Sequence, residues 1–140
     1  MNFMDDKLFD MIRRHEGLSD KIYLDSVGVP TGGYGHAFLV GSPITIDIAE
    51  KFFQNDIFIA EQNYKTLKLN LDETRKMVII NMIFNLGLTR FLKFKKFIHA
   101  LNESNWQKAH DEMINSRWAA QVGNRAKELA NIMLTGEYNK

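Results

Sequence analysis

Cysteine is absent from the 140-residue chain, which removes disulfides, thiolate nucleophiles and cysteine-held metals together and leaves the redox compartment open. Stability must therefore come from packing. Proline is scarce, at two residues, and neither charge sign prevails: 18 Lys and Arg face 17 Asp and Glu, a formal net charge of +1. That balance excludes a strongly basic whole-chain character, so a nucleic-acid surface would have to be a local patch. Long apolar runs are missing as well. The start, Met1 to Lys7, places Asp5 and Asp6 where a secretory signal needs basic residues, so neither a signal nor a membrane anchor is expected there. What is present is a 45% hydrophobic composition, enough for the core of one ordinary domain. A single domain over residues 1–140 is expected.

Periodicity predicts a mainly α-helical α+β fold with a small antiparallel sheet near the start. Met4, Leu8, Met11 and Ile12 recur at helical spacing, and Gly17 is a suitable cap after Glu16. Lys21-Ile22-Tyr23-Leu24 is short and rich in strand formers, and the glycines at 28, 32, 33 and 35 mark turns or close backbone approach. Gly41-Ser42-Pro43 breaks the chain. Thr45 can then cap a long helix with an apolar face of Ile48, Ala49, Phe52, Phe53, Ile59 and Ala60, running to about Tyr64 and Lys65. Asp72 is a good N-cap for a segment from Met77 to Leu86 with little polar surface, which predicts a central helix wrapped by others in a helical C-terminal lobe. Phe91, Phe94, Ile98 and Leu101 form a further stripe with Phe97 beside it, and two short helices are expected at Trp106 to Met113 and Asn124 to Met133. No internal repeat or low-complexity linker interrupts the chain.

The residues that carry chemistry are in the first quarter. Glu16 closes the first helical pattern, while Asp25 and Thr31 fall on a Gly-rich extended stretch that could fold back toward it. A carboxyl pair of this kind suits cleavage of a sugar acetal: one group stays protonated as the acid and a second handles water or the developing cation. Each residue also has an ordinary reading. A carboxylate at a helix carboxyl end opposes the helix dipole at a cost of ~0.3 to 1 kcal/mol when exposed, which favours function for Glu16. Asp25 before Ser26 and Gly28 could seed a turn, and Thr31 alone reads as a strand residue. His36 has no partner at ligand spacing and reads as a hydrogen-bonded structural histidine, so no metal site and no cofactor are expected. Arg90, Lys93, Lys95 and Lys96 read as a solvated face, and Trp118 as core.

The stretch from His15 to His36, with Glu16, Asp25, Thr31 and the closing Gly35-His36, resembles the active-site segment of the phage lysozymes, glycoside hydrolase family 24, best known from T-even bacteriophages. The resemblance returns at Asn81-Met82-Ile83-Phe84-Asn85-Leu86-Gly87 and again at Ser116-Arg117-Trp118 with Asn124-Arg125-Ala126-Lys127, in the family's order. It implies a lysozyme-like fold and a muramidase that hydrolyses the β-1,4 bond between N-acetylmuramic acid and N-acetylglucosamine in peptidoglycan. Glu16 would be the general acid, and Asp25 with Thr31 would position and activate water, giving inversion. An inverting pair needs its carboxyl groups roughly 6.5 to 9.5 Å apart to admit that water, and Glu16 must have a raised pKa to be protonated near neutral pH.

The resemblance also implies substrate-facing roles for Phe84 and Asn85 and an arginine, Arg125, that approaches the acid and orients it. For Phe84, core packing is as good a reading as sugar contact; Asn85 ends an apolar helix and needs a partner. Departures from the T-even proteins include a shorter segment between His36 and Asn81, Ala37 and Phe97 in place of cleft-lining leucine and serine, His15 in place of an aspartate, and Gly32 in place of an apolar residue. The expected partner is the peptidoglycan glycan strand, with no nucleic acid and no stable membrane insertion. The expected state is a monomer held in the host cytoplasm until a separate holin-type protein permits its release to the cell wall. The alternatives are a non-hydrolytic peptidoglycan-binding module, a lytic transglycosylase on the same fold, and a helical nucleic-acid binder using the Arg90 to Lys96 face.

Overall fold

A computed structural model describes residues 3–37 and 43–138, with side chains from residue 6 onward. Gly41 and Ser42, part of the expected chain break, lie outside the described residues, as does the side chain of Met4. The elements in chain order are α1 (Phe3–Glu16), β1 (Ser19–Leu24), β2 (Pro30–Gly33), β3 (His36–Ala37), α2 (Ile46–Thr66), α3 (Glu73–Leu86), α4 (Leu88–Phe91), α5 (Lys95–Asn102), α6 (Trp106–Ile114), α7 (Arg117–Val122) and α8 (Asn124–Thr135). The α+β fold is mainly helical with one small antiparallel sheet of order β1-β2-β3, as expected for a lysozyme-like chain. The chain divides into two compact units, residues 1–59 and 60–140.

In the first unit, Leu8, Met11 and Ile12 of α1, Ile22 of β1 and Ala49, Phe53 and Ile57 of α2 are buried. Phe53 is the hub: the ring of Phe9 meets it edge-on at 5.4 Å, and that of Tyr34 lies 5.1 Å away. The guanidinium of Arg13 stands 4.8 Å from the same ring centre and donates to Glu50 at 2.9 Å, tying the end of α1 to α2. Thr45 caps α2 as expected, accepting from the amide of Ile48 at 3.3 Å. The buried face of α2 differs from the one expected, however. Ile57 is fully buried whereas Ile48 and Ile59 are exposed, because at about 100° per residue these two fall about a third of a turn from the line of Ala49, Phe53, Ile57 and Ala60. His36 is structural, with Nδ1 2.6 Å from Asp56 Oδ2 and its ring stacked on Phe52 at 4.2 Å. Burial pushes the Asp56 carboxyl above its usual range, and the hydrogen bond and charge of His36 offset part of that.

In the second unit, Asp72 has the extended backbone of an N-cap and accepts from the amide of Arg75 at 3.1 Å. Every residue of α3 from Met77 to Ile83 is buried, as a centrally placed helix requires. Arg75 then joins α3 to the end of α8: its Nε donates to the Met133 carbonyl at 2.7 Å and Nη2 to the Leu134 carbonyl at 3.1 Å, while the guanidinium lies 4.0 Å from the centre of the Trp106 ring. The stripe expected from Phe91 to Leu101 is not one helix. It breaks between α4 and α5, so that Phe91 and Phe97 are the deeply buried rings, 6.1 Å apart and edge-on, while Phe94 and Ile98 are half-buried. Arg90, Lys93, Lys95 and Lys96 are all exposed, as expected.

Candidate active site

Three basic residues, Arg13, Arg14 and His15, occupy the last turn of α1, where cations favour the carbonyl end of a helix dipole. Glu16 follows as the final residue, half-buried, and Gly17 turns the chain at φ +67° with its amide donating to the Arg13 carbonyl at 2.8 Å. The carboxyl group of Glu16 lies against the backbone of Gly35. A β-carbon placed at Gly35 would stand 2.8 Å from Glu16 Oε2 and 3.0 Å from its Cδ, so the carboxyl group would have to shift. Gly35 also has φ +82°, so only glycine lets the chain pass here. The acid is thus seated at the end of a helix and walled by the turn between β2 and β3.

Asp25 sits at the hairpin turn between β1 and β2. Its amide donates to the Val29 carbonyl at 2.9 Å and its own carbonyl accepts from Gly28 at 3.0 Å. Its Oδ1 accepts from the amides of Val27 and Val29 at 2.9 and 2.8 Å. The turn-seeding role considered for Asp25 is therefore real, yet it consumes one oxygen. Oδ2 has no partner among the described residues. Thr31, on β2, is buried and donates its hydroxyl proton to the Val29 carbonyl at 2.8 Å, which leaves the oxygen free to accept. Two uncommitted acceptors on one hairpin suit a molecule that has two protons to give.

Two residues of consequence are not among those the sequence reading singled out. Tyr23 pairs with Thr31 across β1 and β2, so these two share one face of the hairpin, and it precedes Asp25 of the turn by two. Burial, then the charge of Glu16, then that of Asp25 hold the Tyr23 phenol above its ordinary range. It therefore lies within electrostatic reach of both carboxylates and stays uncharged. The signal was available: strand period two, counted back from Asp25. The second residue is Asn81, buried within α3, whose Oδ1 accepts from Arg125 Nε and Nη2 at 3.1 and 2.7 Å. A buried polar residue inside an apolar run was the clue.

Within the second unit, Arg125 opens α8, buried and gripped by Asn81. Asn85, at the end of α3, finds its partner in Trp118, whose indole N–H donates to Asn85 Oδ1 at 2.8 Å; Trp118 is core, as expected. The amide nitrogen of Asn85 has no partner among the described residues, and Phe84 beside it is half-buried. Thus Glu16, Asp25 and Thr31 belong to the first unit, and Phe84, Asn85 and Arg125 to the second. No group of three or more His, Asp or Glu among the described residues could hold a metal ion. No helix among them is long and apolar enough to cross a membrane.

A carboxyl group at a helix end, in the same unit as a hairpin that carries a second carboxylate and a hydroxyl, suits a lysozyme-type glycosidase. Comparison with known proteins agrees. The phage lysozyme family model matches residues 13–132, and the chain belongs to that family. It is 29% identical to the probable T4-type lysozyme 1 of Dictyostelium discoideum, over 93% of this chain and 95% of that protein. It is 30% identical to the endolysin of Acyrthosiphon pisum secondary endosymbiont phage 1, covering 88% and 85% of the two chains. It is also 28% identical to the pre-baseplate central spike protein Gp5 of Enterobacteria phage T4, where 91% of this chain matches 27% of a longer protein. Membership carries a lytic, muramidase-type glycoside hydrolase function with peptidoglycan as substrate.

Proposed function

We propose that this chain hydrolyses the β-1,4 bond between N-acetylmuramic acid and N-acetylglucosamine in peptidoglycan, with Glu16 as acid and Asp25 and Thr31 as the holders of water. The observation that carries this reading is the hairpin's pair of uncommitted acceptors, Asp25 Oδ2 and Thr31 Oγ1, in the same unit as the Glu16 carboxyl. Water donates one hydrogen bond to each acceptor and turns a lone pair toward the anomeric carbon. As the new carbon–oxygen bond forms on one face, the glycosidic bond breaks on the other and its oxygen takes the proton of Glu16. The water's proton passes to Asp25, and exchange with solvent resets both carboxyl groups. Attack from the far face inverts the anomeric configuration.

Phe84, the free amide of Asn85 and Arg125, which Asn81 holds, contact the sugar. The two units act as one catalytic domain over residues 1–140, which accords with a family match running through both. In the organism the enzyme serves as a monomeric endolysin of a phage or prophage. It is kept in the host cytoplasm until a holin-type protein lets it reach the wall, where it brings about host lysis.

The test is clearing of purified, outer-membrane-stripped peptidoglycan by wild type, Glu16→Gln and Asp25→Asn, with mass spectrometry of the released ends. Clearing by wild type alone, with reducing muramic acid ends, is the expected result. Anhydro ends would instead make the enzyme a lytic transglycosylase, which uses one acid and no water. Binding without release would make it a wall-binding module.

A further inference from the structure

We propose that Tyr23 is a third ligand of the attacking water, its hydroxyl donating to the water oxygen while Asp25 and Thr31 accept hydrogen bonds from the water. The inference rests on the muramidase reading and adds a residue to it. Three observations converge. The strand register sets Tyr23 opposite Thr31, on the hairpin face that carries its uncommitted acceptor, and two residues before Asp25, whose charge acts on the phenol. Its side chain remains 41% exposed, and its hydroxyl has no hydrogen-bond partner among the described residues, so it is open to a small molecule in the site. The charged groups acting on it are Glu16 from α1 and Asp25 from the turn after β1; β2 brings the uncharged Thr31, and His36 of β3 is turned onto Phe52 and Asp56.

An uncharged donor is what two acceptors leave unsupplied. A water held only through its protons can still swing about them, and one donor to its oxygen fixes a lone pair for attack while occupying the other. Burial, with the nearby carboxylates, holds the phenol above its ordinary range, so it remains a donor. The step keeps its balance: Tyr23 gives up no proton, the water's proton goes to Asp25, and the leaving oxygen takes that of Glu16.

The test is Tyr23→Phe, which keeps the ring and removes the hydroxyl. The expected result is kcat lowered about tenfold with KM for the glycan within about twofold and the melting temperature unchanged, as for a group that acts only in the chemical step. Alkaline difference spectra of wild type against Tyr23→Phe isolate this phenol. Its midpoint is expected above the ordinary value of about 10 and is expected to fall in Glu16→Gln and in Asp25→Asn. Unchanged kcat in Tyr23→Phe, parallel losses of kcat and melting temperature, or a midpoint indifferent to both carboxylates would overturn the proposal. The spectroscopic arm does not depend on turnover, so it still reads the phenol's place if wild type proves inactive. Inactive wild type overturns the muramidase reading and this role with it.

Discussion

At Gly35 a side chain would meet two costs at once, a backbone at φ +82° and the Glu16 carboxyl 2.8 Å from the new β-carbon. Gly35→Ala is therefore expected to lose about 1 to 2 kcal/mol of stability and to displace the acid, lowering kcat about a hundredfold. Urea unfolding and a clearing assay check the two losses separately, and normal turnover would mean that the acid does not need its seat. Asp25 divides differently, one oxygen bound to the turn and one with no partner among the described residues. Asp25→Asn keeps an oxygen for the amides of Val27 and Val29, so its melting temperature should stay near wild type while activity falls. Asp25→Ala loses both bonds and should unfold more easily by about 1 to 3 kcal/mol. Both the turn reading and the catalytic reading of this residue were legible in sequence, but which oxygen serves which was not. That assignment depends on how the turn closes.

Helix starts were legible because a cap is local. Thr45 and Asp72 bond to amides three residues on, and Asp72→Ala should cost about 1 kcal/mol, read by thermal melting. The bond from Arg75 to the last carbonyls of α8 was not legible, since it joins residues 58 and 59 positions apart. Nor was the break between α4 and α5. The aromatic stripe from Phe91 to Leu101 satisfies helical spacing, and only packing shows that Phe97 belongs inside. Gly32 shows the same limit. It stands where the T-even proteins place an apolar residue, yet it is buried with ordinary φ, and a β-carbon there would meet the Ile44 side-chain tip at 3.2 Å and Ile22 at 3.5 Å. Because Ile44 is only half-buried and its tip can turn aside, Gly32→Ala should raise stability by about 0.4 to 1 kcal/mol through the unfolded chain. A lower melting temperature would show that Ile44 cannot yield.

For the molecule as a whole, stability must depend on pH at the alkaline end. Burial raises the phenols of both Tyr23 and Tyr64, helped by Glu16 and Asp25 in the first case and by Glu73 and Asp72 in the second. Above about pH 10 the unfolded chain releases these protons while the folded chain keeps them, so the folded state binds more protons and stability falls as pH rises. The contribution is whole below that pH and is lost through the raised folded values. Urea midpoints at pH 8, 10 and 11 should decline, and less steeply in Tyr64→Phe; a flat profile would contradict the upward shift of the two phenols.

The sequence by itself determined the class of fold, the helix caps, the absence of thiol chemistry and the order of blocks that marks the family, because periodicity, capping and composition act over a few residues at a time. It also marked Glu16, Asp25 and Thr31 as candidates. Tertiary structure alone decided that Gly35 walls the acid, that Tyr23 stands within reach of both carboxylates, that Asn81 grips Arg125 and that Trp118 takes the oxygen of Asn85. Each of these depends on strand register or helix packing bringing together groups that are separate in the chain, and a pattern that repeats every two or four residues carries no record of such meetings.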